Sequence, residues 1–323
     1  GAMADMGARY LQVVMLSEPF QGIFLMCASG LRGAGDTRTP LWIGGIIDVL
    51  AIILNYIFIF GKLGIPALGV DGAAVATLIA IAIGGLLFFW ALSVDGMVLN
   101  FRWHKLWPDF GLGWRILRVG NPAAIEQLVI QFGFVAYVAF VASYGEKEVA
   151  AYFIGVRILA LSFLPGFGFS AASATLVGQG LGAGDPNFSR KAGWESTRMS
   201  IVMMSAMGLV FFVFARQIAA LFIQDPQVIE YTAAFMYALA AAQPLMAIDW
   251  TITGALRGAG DSQFPLWGSL AGFYGLRLFL TILIAHFGGP IVWIWWSLLA
   301  DYVVRSSLKS WRFWSGKWET VVV

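Results

Sequence analysis

Residues 19–42 read PFQGIFLMCASGLRGAGDTRTPLW, and residues 244–267 read PLMAIDWTITGALRGAGDSQFPLW. The offset is 225 residues without a gap, and eleven of the twenty-four positions are identical. The identities include Leu31-Arg32-Gly33-Ala34-Gly35-Asp36 with Leu256-Arg257-Gly258-Ala259-Gly260-Asp261, and Pro40-Leu41-Trp42 with Pro265-Leu266-Trp267. In each copy an apolar segment runs into a glycine-rich elbow, and a second apolar segment opens at a proline. Glycine permits a tight turn, the arginine can bond the last carbonyls of the helix it ends, and the aspartate can cap the helix that follows. These elbows are read as structural. They lack the Gly-x-x-x-x-Gly-Lys-Ser/Thr pattern of a phosphate loop and follow helices rather than strands. The period exceeds that of short solenoid repeats and suits a transporter built from parallel duplicated halves.

The rest of the chain agrees with a membrane setting. Of its 323 residues 59% are hydrophobic and 12% charged, against roughly 25% charged in soluble domains. A net charge of +2 is too balanced for a nucleic-acid binder, and the single Cys27 excludes a disulfide scaffold. Runs such as Leu41 to Phe60 and Ala73 to Val94 reach the roughly 20 apolar residues a spanning helix needs. The pattern predicts an all-α polytopic membrane protein with nine helices, over about 6–31, 40–61, 67–95, 119–144, 148–181, 190–222, 228–257, 263–287 and 290–313. Breakers mark the joins: Gly33, Gly35 and Pro40, then Gly64 and Pro66, Asp185-Pro186, Asp225-Pro226, and Gly288-Gly289-Pro290.

Lysine and arginine set the orientation. With Arg32 and Arg38 on the cytoplasmic side, that side holds fourteen basic residues, including Arg305, Lys309, Arg312 and Lys317. The other side holds four: Arg9, Lys62, Lys147 and Arg216. Arg157 and Arg277 fall within helices. This bias puts the carboxy terminus inside and the amino terminus outside, in the plasma (inner) membrane. The repeat register places the counterpart of Val119 well before Gly1, so about three helices are expected ahead of the first residue. The intact molecule is then expected to carry about twelve helices in two bundles of six. On that plan residues 1–100 are the last three helices of the first lobe. Residues 101–118 are a basic, Trp-rich amphipathic linker on the cytoplasmic face. Residues 119–315 are the complete second lobe, and 316–323 a cytoplasmic tail.

Several motifs in order carry a family resemblance. The Leu-Arg-Gly-Ala-Gly-Asp-Thr/Ser elbows are joined by Gly69-Val70-Asp71-Gly72-Ala73-Ala74, Asn121-Pro122-Ala123-Ala124-Ile125-Glu126, and Gly178-Gln179-Gly180 before Gly182-Ala183-Gly184-Asp185. Across essentially its whole length the chain resembles the multidrug and toxic compound extrusion (MATE) family, from that family's fourth helix to its twelfth. The resemblance implies a Na⁺- or H⁺-coupled antiporter that exports organic, often cationic, compounds by alternating access. It also implies no cofactor beyond the coupling ion. The acidic residue that many bacterial members carry on their first helix has no counterpart in these 323 residues.

Ionisable groups in hydrocarbon are functional candidates, although structural pairs also occur. Glu126 and Asp249 each lie eight residues from a basic anchor, Arg118 and Arg257, or about 12 Å along a helix. At similar depth in one lobe they can bind Na⁺ or hold a proton, and the resemblance puts coupling carboxylates on these helices. The alternative is that Glu126 caps a helix start after Pro122 or pairs with an arginine. Gln127 and Gln131, one turn apart, either line a cavity or bond between helices. Glu18, beside Pro19, either attracts a cationic compound or pairs with an arginine. Asp48 and Asn55 share a face and are candidates for the first lobe's interior. Asp301 is a weaker candidate on the last helix. Arg157 and Arg277 are read as structural ion pairs or snorkelling side chains. Among the aromatics, Phe132 and Tyr137 are the interior candidates for a drug cavity. Trp103, Trp107, Trp114, Trp311, Trp314 and Trp318 are read as interfacial anchors.

Enzyme chemistry finds no support. His104 and His286 fall near loops on opposite sides, Cys27 is alone, and no metal-ligand cluster appears in the sequence. The expected partners are a small organic substrate and the lipid bilayer, with no nucleic acid, for a monomeric protein. Two alternatives stand beside efflux. One is a lipid-linked saccharide flippase on a related two-lobe plan, which favours a more basic cavity. The other is a non-transporting fragment.

Overall fold

The computed structural model describes residues 2–64, 66–93 and 109–320, with side chains from residue 5 onward. The described residues are helical with short turns, and they fall into two compact units, Gly1–Trp107 and Pro108–Val323. Unit 1 holds α1 (Ala2–Met15), α2 (Glu18–Gly33), α3 (Arg38–Phe60) and α4 (Gly69–Ser93). Unit 2 holds α5 (Phe110–Ala142), α6 (Glu146–Gly182), α7 (Pro186–Val213), the short α8 (Ala215–Ala220) and α9 (Pro226–Gly258). It continues with α10 (Gln263–Gly272), a π-helical turn (Phe273–Leu278), α11 (Phe279–His286) and α12 (Ile291–Trp314).

Among the described residues, seven helical segments are long and apolar enough to cross a membrane. The bent pair Asp5–Met15 and Glu18–Gly33 makes an eighth if counted as one span. The ninth expected helix, α12, has 24 residues, but Asp301, Arg305, Lys309 and Arg312 make it too polar for the same test.

Capping sets most helix starts. The Asp109 carboxylate accepts from the Gly111 and Leu112 N–H groups and opens α5 at Phe110, earlier than the expected 119. Pro122 therefore lies inside α5, and Glu126 caps no helix. The part of the expected linker from 110 to 118 is the first turns of α5, while 101–108 lies outside the described residues. Asp185 and Asp225 cap α7 and α9, each followed by proline in the first turn. Three further boundaries differ from expectation. The first helix breaks with a 42° bend between Met15 and Glu18, because Pro19 lacks an N–H and its ring crowds the carbonyl four residues back. The sixth breaks at Phe214. The eighth loosens into the π turn at Phe273–Leu278.

The cores differ in size. Unit 1 has a small one, in which Ala28, Leu31, Ile43, Ile47, Ala80 and Phe88 are buried. Unit 2 is organised round α9, which packs against α6, α7, α8 and α12. Its core includes Tyr137, Tyr152, Phe235, Met236, Phe273 and Trp295. Close approach of α9 to α6 depends on Gly254 and Gly258, where an added Cβ would strike the Ser170 and Ala174 backbones. The outer faces carry exposed leucine, isoleucine, phenylalanine and tryptophan, the composition a lipid-facing surface needs. Trp114, Trp311 and Trp314 are exposed. Trp318 is not an anchor: it is fully buried, stacks on Phe313 at 4.7 Å and donates to the Phe313 carbonyl. Trp103 and Trp107 lie outside the described residues.

Candidate functional site

Two helices of unit 2 present polar and charged stripes at a spacing of four residues. On α9 these are Asp249, Thr253 and Arg257, and on α12 they are Asp301, Arg305 and Lys309. Residues four apart share a face of a helix, so each stripe is a column. The third wall is α10, where Gly268 and Gly272 leave the space the α12 column fills. A Cβ at Gly272 would collide with Arg305 and Asp301, and one at Gly268 would sit 3.1 Å from Lys309 Cε. The fourth is α5, which contributes Glu126.

These walls enclose a continuous ion network. Glu126 Oε2 meets an Arg257 terminal nitrogen at 2.6 Å. Glu126 Oε1 accepts a hydrogen bond from Ser269 Oγ at 2.5 Å and lies 3.7 Å from Lys309 Nζ. Lys309 Nζ makes an ion pair with Asp249 Oδ1 at 2.7 Å and donates to Thr253 Oγ1 at 2.9 Å and Ser269 Oγ at 3.2 Å. The other Asp249 oxygen is held by Arg305 at 2.8 Å. Deeper in, Asp301 lies 3.9 Å from both Arg277 and Arg305. The Arg277 guanidinium sits over the Tyr137 ring at 4.4 Å and near Phe273 at 5.1 Å. The π turn delivers Arg277 to this place, an instance of irregular helix at a polar site.

Lys309 is completely buried and Glu126, Asp249 and Asp301 nearly so, whereas the Arg257 side chain is 37% exposed. The network is therefore sealed except on the Arg257 side. There a pocket of about 80 Å³ is lined by Glu126, Gln127, Asp249, Thr253, Arg257 and Arg305, among others. Three carboxylates face four basic side chains, a surplus of one positive charge. Charges so removed from water persist only when paired. The network pairs Glu126 and Asp249 closely, while Asp301 keeps only the two 3.9 Å contacts and accepts no hydrogen bond among the described residues.

A family model described as MatE matches residues 1–57 and 122–283. The chain belongs to the MATE family. It is 33% identical over 321 residues to "Probable multidrug resistance protein NorM" of Thermotoga maritima, covering 99% of this chain and 69% of that protein. It is 30% identical to "Multidrug resistance protein NorM" of Burkholderia vietnamiensis, covering 90% and 64%. The chain thus spans about two thirds of the length of these relatives. A structure described as the outward-facing conformation of a multidrug resistance MATE family transporter superposes with a TM-score of 0.90 at 20% identity, over 98% of this chain and 71% of that one. MATE proteins are transporters, not enzymes.

Against this MATE frame the candidate residues sort clearly. Glu126, Asp249 and Arg277 belong to the network, and Gln127 lines its pocket. Gln131 lines a separate open groove of about 580 Å³ with Phe134, Tyr152 and Phe163. Tyr137 is not a cavity ring. It is fully buried and donates to the Ile294 carbonyl at 3.0 Å. Phe132 is 68% exposed and outside the unit 2 core. Arg157 is exposed and, among the described residues, makes no ion pair within 4 Å, so the pairing expected of it is not found. Its apolar stem can lie along the helix with the head at the surface.

In unit 1, Glu18 is exposed in the first turn of α2. Asp48 lines a pocket of about 320 Å³ with Gln21, Phe24, Ile47 and Thr77. Asn55 donates to the Ala51 carbonyl of its own helix at 2.8 Å. Sequence reasoning missed Lys309, Arg305, Ser269 and Thr253. It assigned the two cations to the cytoplasmic rim, although Asp301, Arg305 and Lys309 recur every fourth residue along α12.

Proposed function

We propose that this chain is a cation-coupled antiporter that exports organic, often cationic, compounds by alternating access, with Glu126 and Asp249 as its coupling carboxylates. One observation carries this reading: two buried carboxylates from different helices are joined through a single ammonium, at 3.7 and 2.7 Å from Lys309 Nζ. Neutralising either one by a proton, or sharing it with an added cation, removes a charge that holds α5, α9 and α12 together. A conformation that keeps those helices tight is then disfavoured against one that lets them part. Coupling follows by linkage, since whichever state binds the cation better is the state that cation populates. The relatives reported above carry multidrug-resistance names, which favours efflux over the lipid-linked saccharide reading.

Finer features belong to the same proposal. We take α12 as a further span whose charges are neutralised by partners on α5, α9 and α10. We take the 225-residue repeat as the trace of a duplicated two-lobe plan, with α1–α4 in the first lobe, a linker round 101–118, and α5–α12 in the second. Setting aside the buried Arg305 and Lys309, the basic residues still lie twelve against four. That supports a cytoplasmic carboxy terminus in a plasma (inner) membrane protein. Gln127, Asp48 and Gln131 remain cavity candidates because each lines an opening. The protein is taken to act as a monomer.

The test is efflux of a fluorescent organic cation such as ethidium from cells making the protein. Glu126→Gln and Asp249→Asn are each expected to lower the efflux rate at least tenfold with membrane level unchanged. Wild-type rates in both variants would refute the coupling assignment.

A further inference from the structure

Lys309 does more than balance charge, and what it does depends on Glu126 and Asp249 being the coupling groups. Four oxygens converge on its ammonium: Asp249 Oδ1 at 2.7 Å, Thr253 Oγ1 at 2.9 Å, Ser269 Oγ at 3.2 Å and Glu126 Oε1 at 3.7 Å. Two carboxylate oxygens and two hydroxyls are the ligand set a hard cation such as Na⁺ would collect. The remaining carboxylate oxygens are occupied as well, Glu126 Oε2 by Arg257 and Asp249 Oδ2 by Arg305. We propose that Lys309 is a tethered cation occupying the place of a sodium ion, so that Na⁺ is excluded from this site and the exchanged ion is a proton.

The two ions make different demands. Sodium needs several oxygens turned toward it at once, and each is already turned toward Lys309, Arg257 or Arg305. It would also enter a cluster that already carries a surplus positive charge, in surroundings where Coulomb repulsion is poorly screened. A proton needs one oxygen and no coordination shell. Binding to Glu126, it breaks the Glu126 contacts with Arg257 and Lys309 and leaves Lys309 to Asp249. Glu126 is the carboxylate a proton reaches first, because its partner Arg257 is 37% exposed while the partners of Asp249 are at most 8% exposed. Ser269, which accepts from Lys309 and donates to Glu126, ties the two events. When the glutamate is protonated, the serine hydroxyl is free to turn away from it.

The experiment uses the purified protein in detergent micelles, at fixed pH and ionic strength, with NaCl exchanged for choline chloride. Unfolding is followed by tryptophan fluorescence. The wild-type midpoint is expected to be the same in both salts. Lys309→Ala, which vacates the site, is expected to be about 3 °C more stable in NaCl at tenfold saturation. Lys309→Arg, which keeps a cation there, is expected to show no difference. A sodium-specific rise in the wild type overturns the assignment, as does the absence of any sodium effect in folded Lys309→Ala.

A second measurement stands if Lys309→Ala does not fold. Adding ethidium to wild-type protein in weakly buffered solution is expected to release protons, and Glu126→Gln is expected to lose that release. Proton release that persists in Glu126→Gln overturns the choice of Glu126. No release from the wild type overturns the proton assignment, whereas the coupling reading falls only if Glu126→Gln and Asp249→Asn both keep the wild-type efflux rate. A sodium effect in the wild type leaves the coupling reading standing and removes only the proton.

Discussion

The two copies of Leu-Arg-Gly-Ala-Gly-Asp fold alike and are used differently. Gly35 and Gly260 both turn with positive φ, 94° and 86°. The Asp36 N–H bonds the Leu31 carbonyl at 2.9 Å, and the Asp261 N–H bonds Leu256 at 2.8 Å. Asp36 caps Thr39, and Asp261 caps the equivalent Phe264. The surroundings then diverge. Arg32 bonds Ser29 on its own helix, while Arg257 crosses to Glu126 on α5. Asp36 pairs with no cation within 4 Å among the described residues, while Asp261 takes Arg312 at 2.7 Å. Phe24 occupies the repeat position of Asp249 and meets Phe88 edge to face at 5.2 Å. One backbone device therefore adjoins an aromatic contact in unit 1 and an ion network in unit 2. The helix termini came with the repeat, and the chemistry came from Asp249 and from partners outside the repeated stretch, Glu126, Arg305, Lys309 and Arg312.

That contrast breaks hardest at Asp249. Asp249→Ala strands Arg305 and Lys309 in a buried setting, and removing one partner of such a pair costs about 3–5 kcal/mol. The unfolding midpoint in detergent should fall by roughly 10 °C. Phe24→Leu, at the matching position of unit 1, exchanges one apolar side chain for another and should cost less than about 1.5 kcal/mol. Equal losses at the two sites would mean that the network contributes no more than ordinary packing.

The next contrast concerns backbone approach. Gly33 and Gly258 occupy the same repeat position. An added Cβ meets nothing within 4 Å at Gly33, but at Gly258 it strikes the Ala174 backbone. Gly258→Ala should therefore cost about 1–3 kcal/mol by forcing α9 off α6. Gly33→Ala should be neutral or slightly stabilising, by up to about 1 kcal/mol, through its better helix propensity. Thermal unfolding of both variants decides it. A neutral Gly258→Ala would show that α6 and α9 can separate without cost.

How much of this was legible follows the same division. Apolar runs, proline and glycine breaks and the repeat marked the helices, because those signals are local. Pro122 misled, since Asp109 had already started α5 and a proline there is carried within a continuous helix. Glu126 and Asp249 were legible as charged residues in apolar segments. Their partner Lys309 was not, because a lysine near a helix end reads as a rim charge when nothing in sequence reveals the facing glycines Gly268 and Gly272. Arg157 and Arg277 look equivalent as lone arginines in helices. Only the fold separates them, since one faces outward and the other meets Asp301 and Tyr137.

The smallest expected effect lies at the aspartates that close the two elbows. Asp36 sits between α2 and α3, and its carboxyl is held below the ordinary range. The cause is hydrogen bonding from Thr39, from its side chain first and then its backbone N–H, with a further backbone bond from Arg38. A depressed carboxylate contributes stability above its unfolded value and loses it as the pH falls through the folded one. The cap should therefore hold at neutral pH and loosen only under acid, below the usual carboxylate range. Hydrogen exchange at the Arg38 and Thr39 amides should quicken there in the wild type. In Asp36→Asn the protection of these amides, taken relative to their intrinsic exchange rates, should stay flat across the same range, because an amide side chain does not titrate. Asp36 is half-buried and its carboxylate accepts from the Arg38 and Thr39 N–H groups of its own turn, so the change should be confined to this turn and leave the global midpoint unmoved. Asp261→Asn should behave otherwise, because its carboxylate also holds Arg312 in a half-buried pair and its loss should lower the midpoint at neutral pH. If both variants were silent, the shared elbow would owe its shape to Gly35 and Gly260 alone, and the two aspartates would be dispensable to both copies.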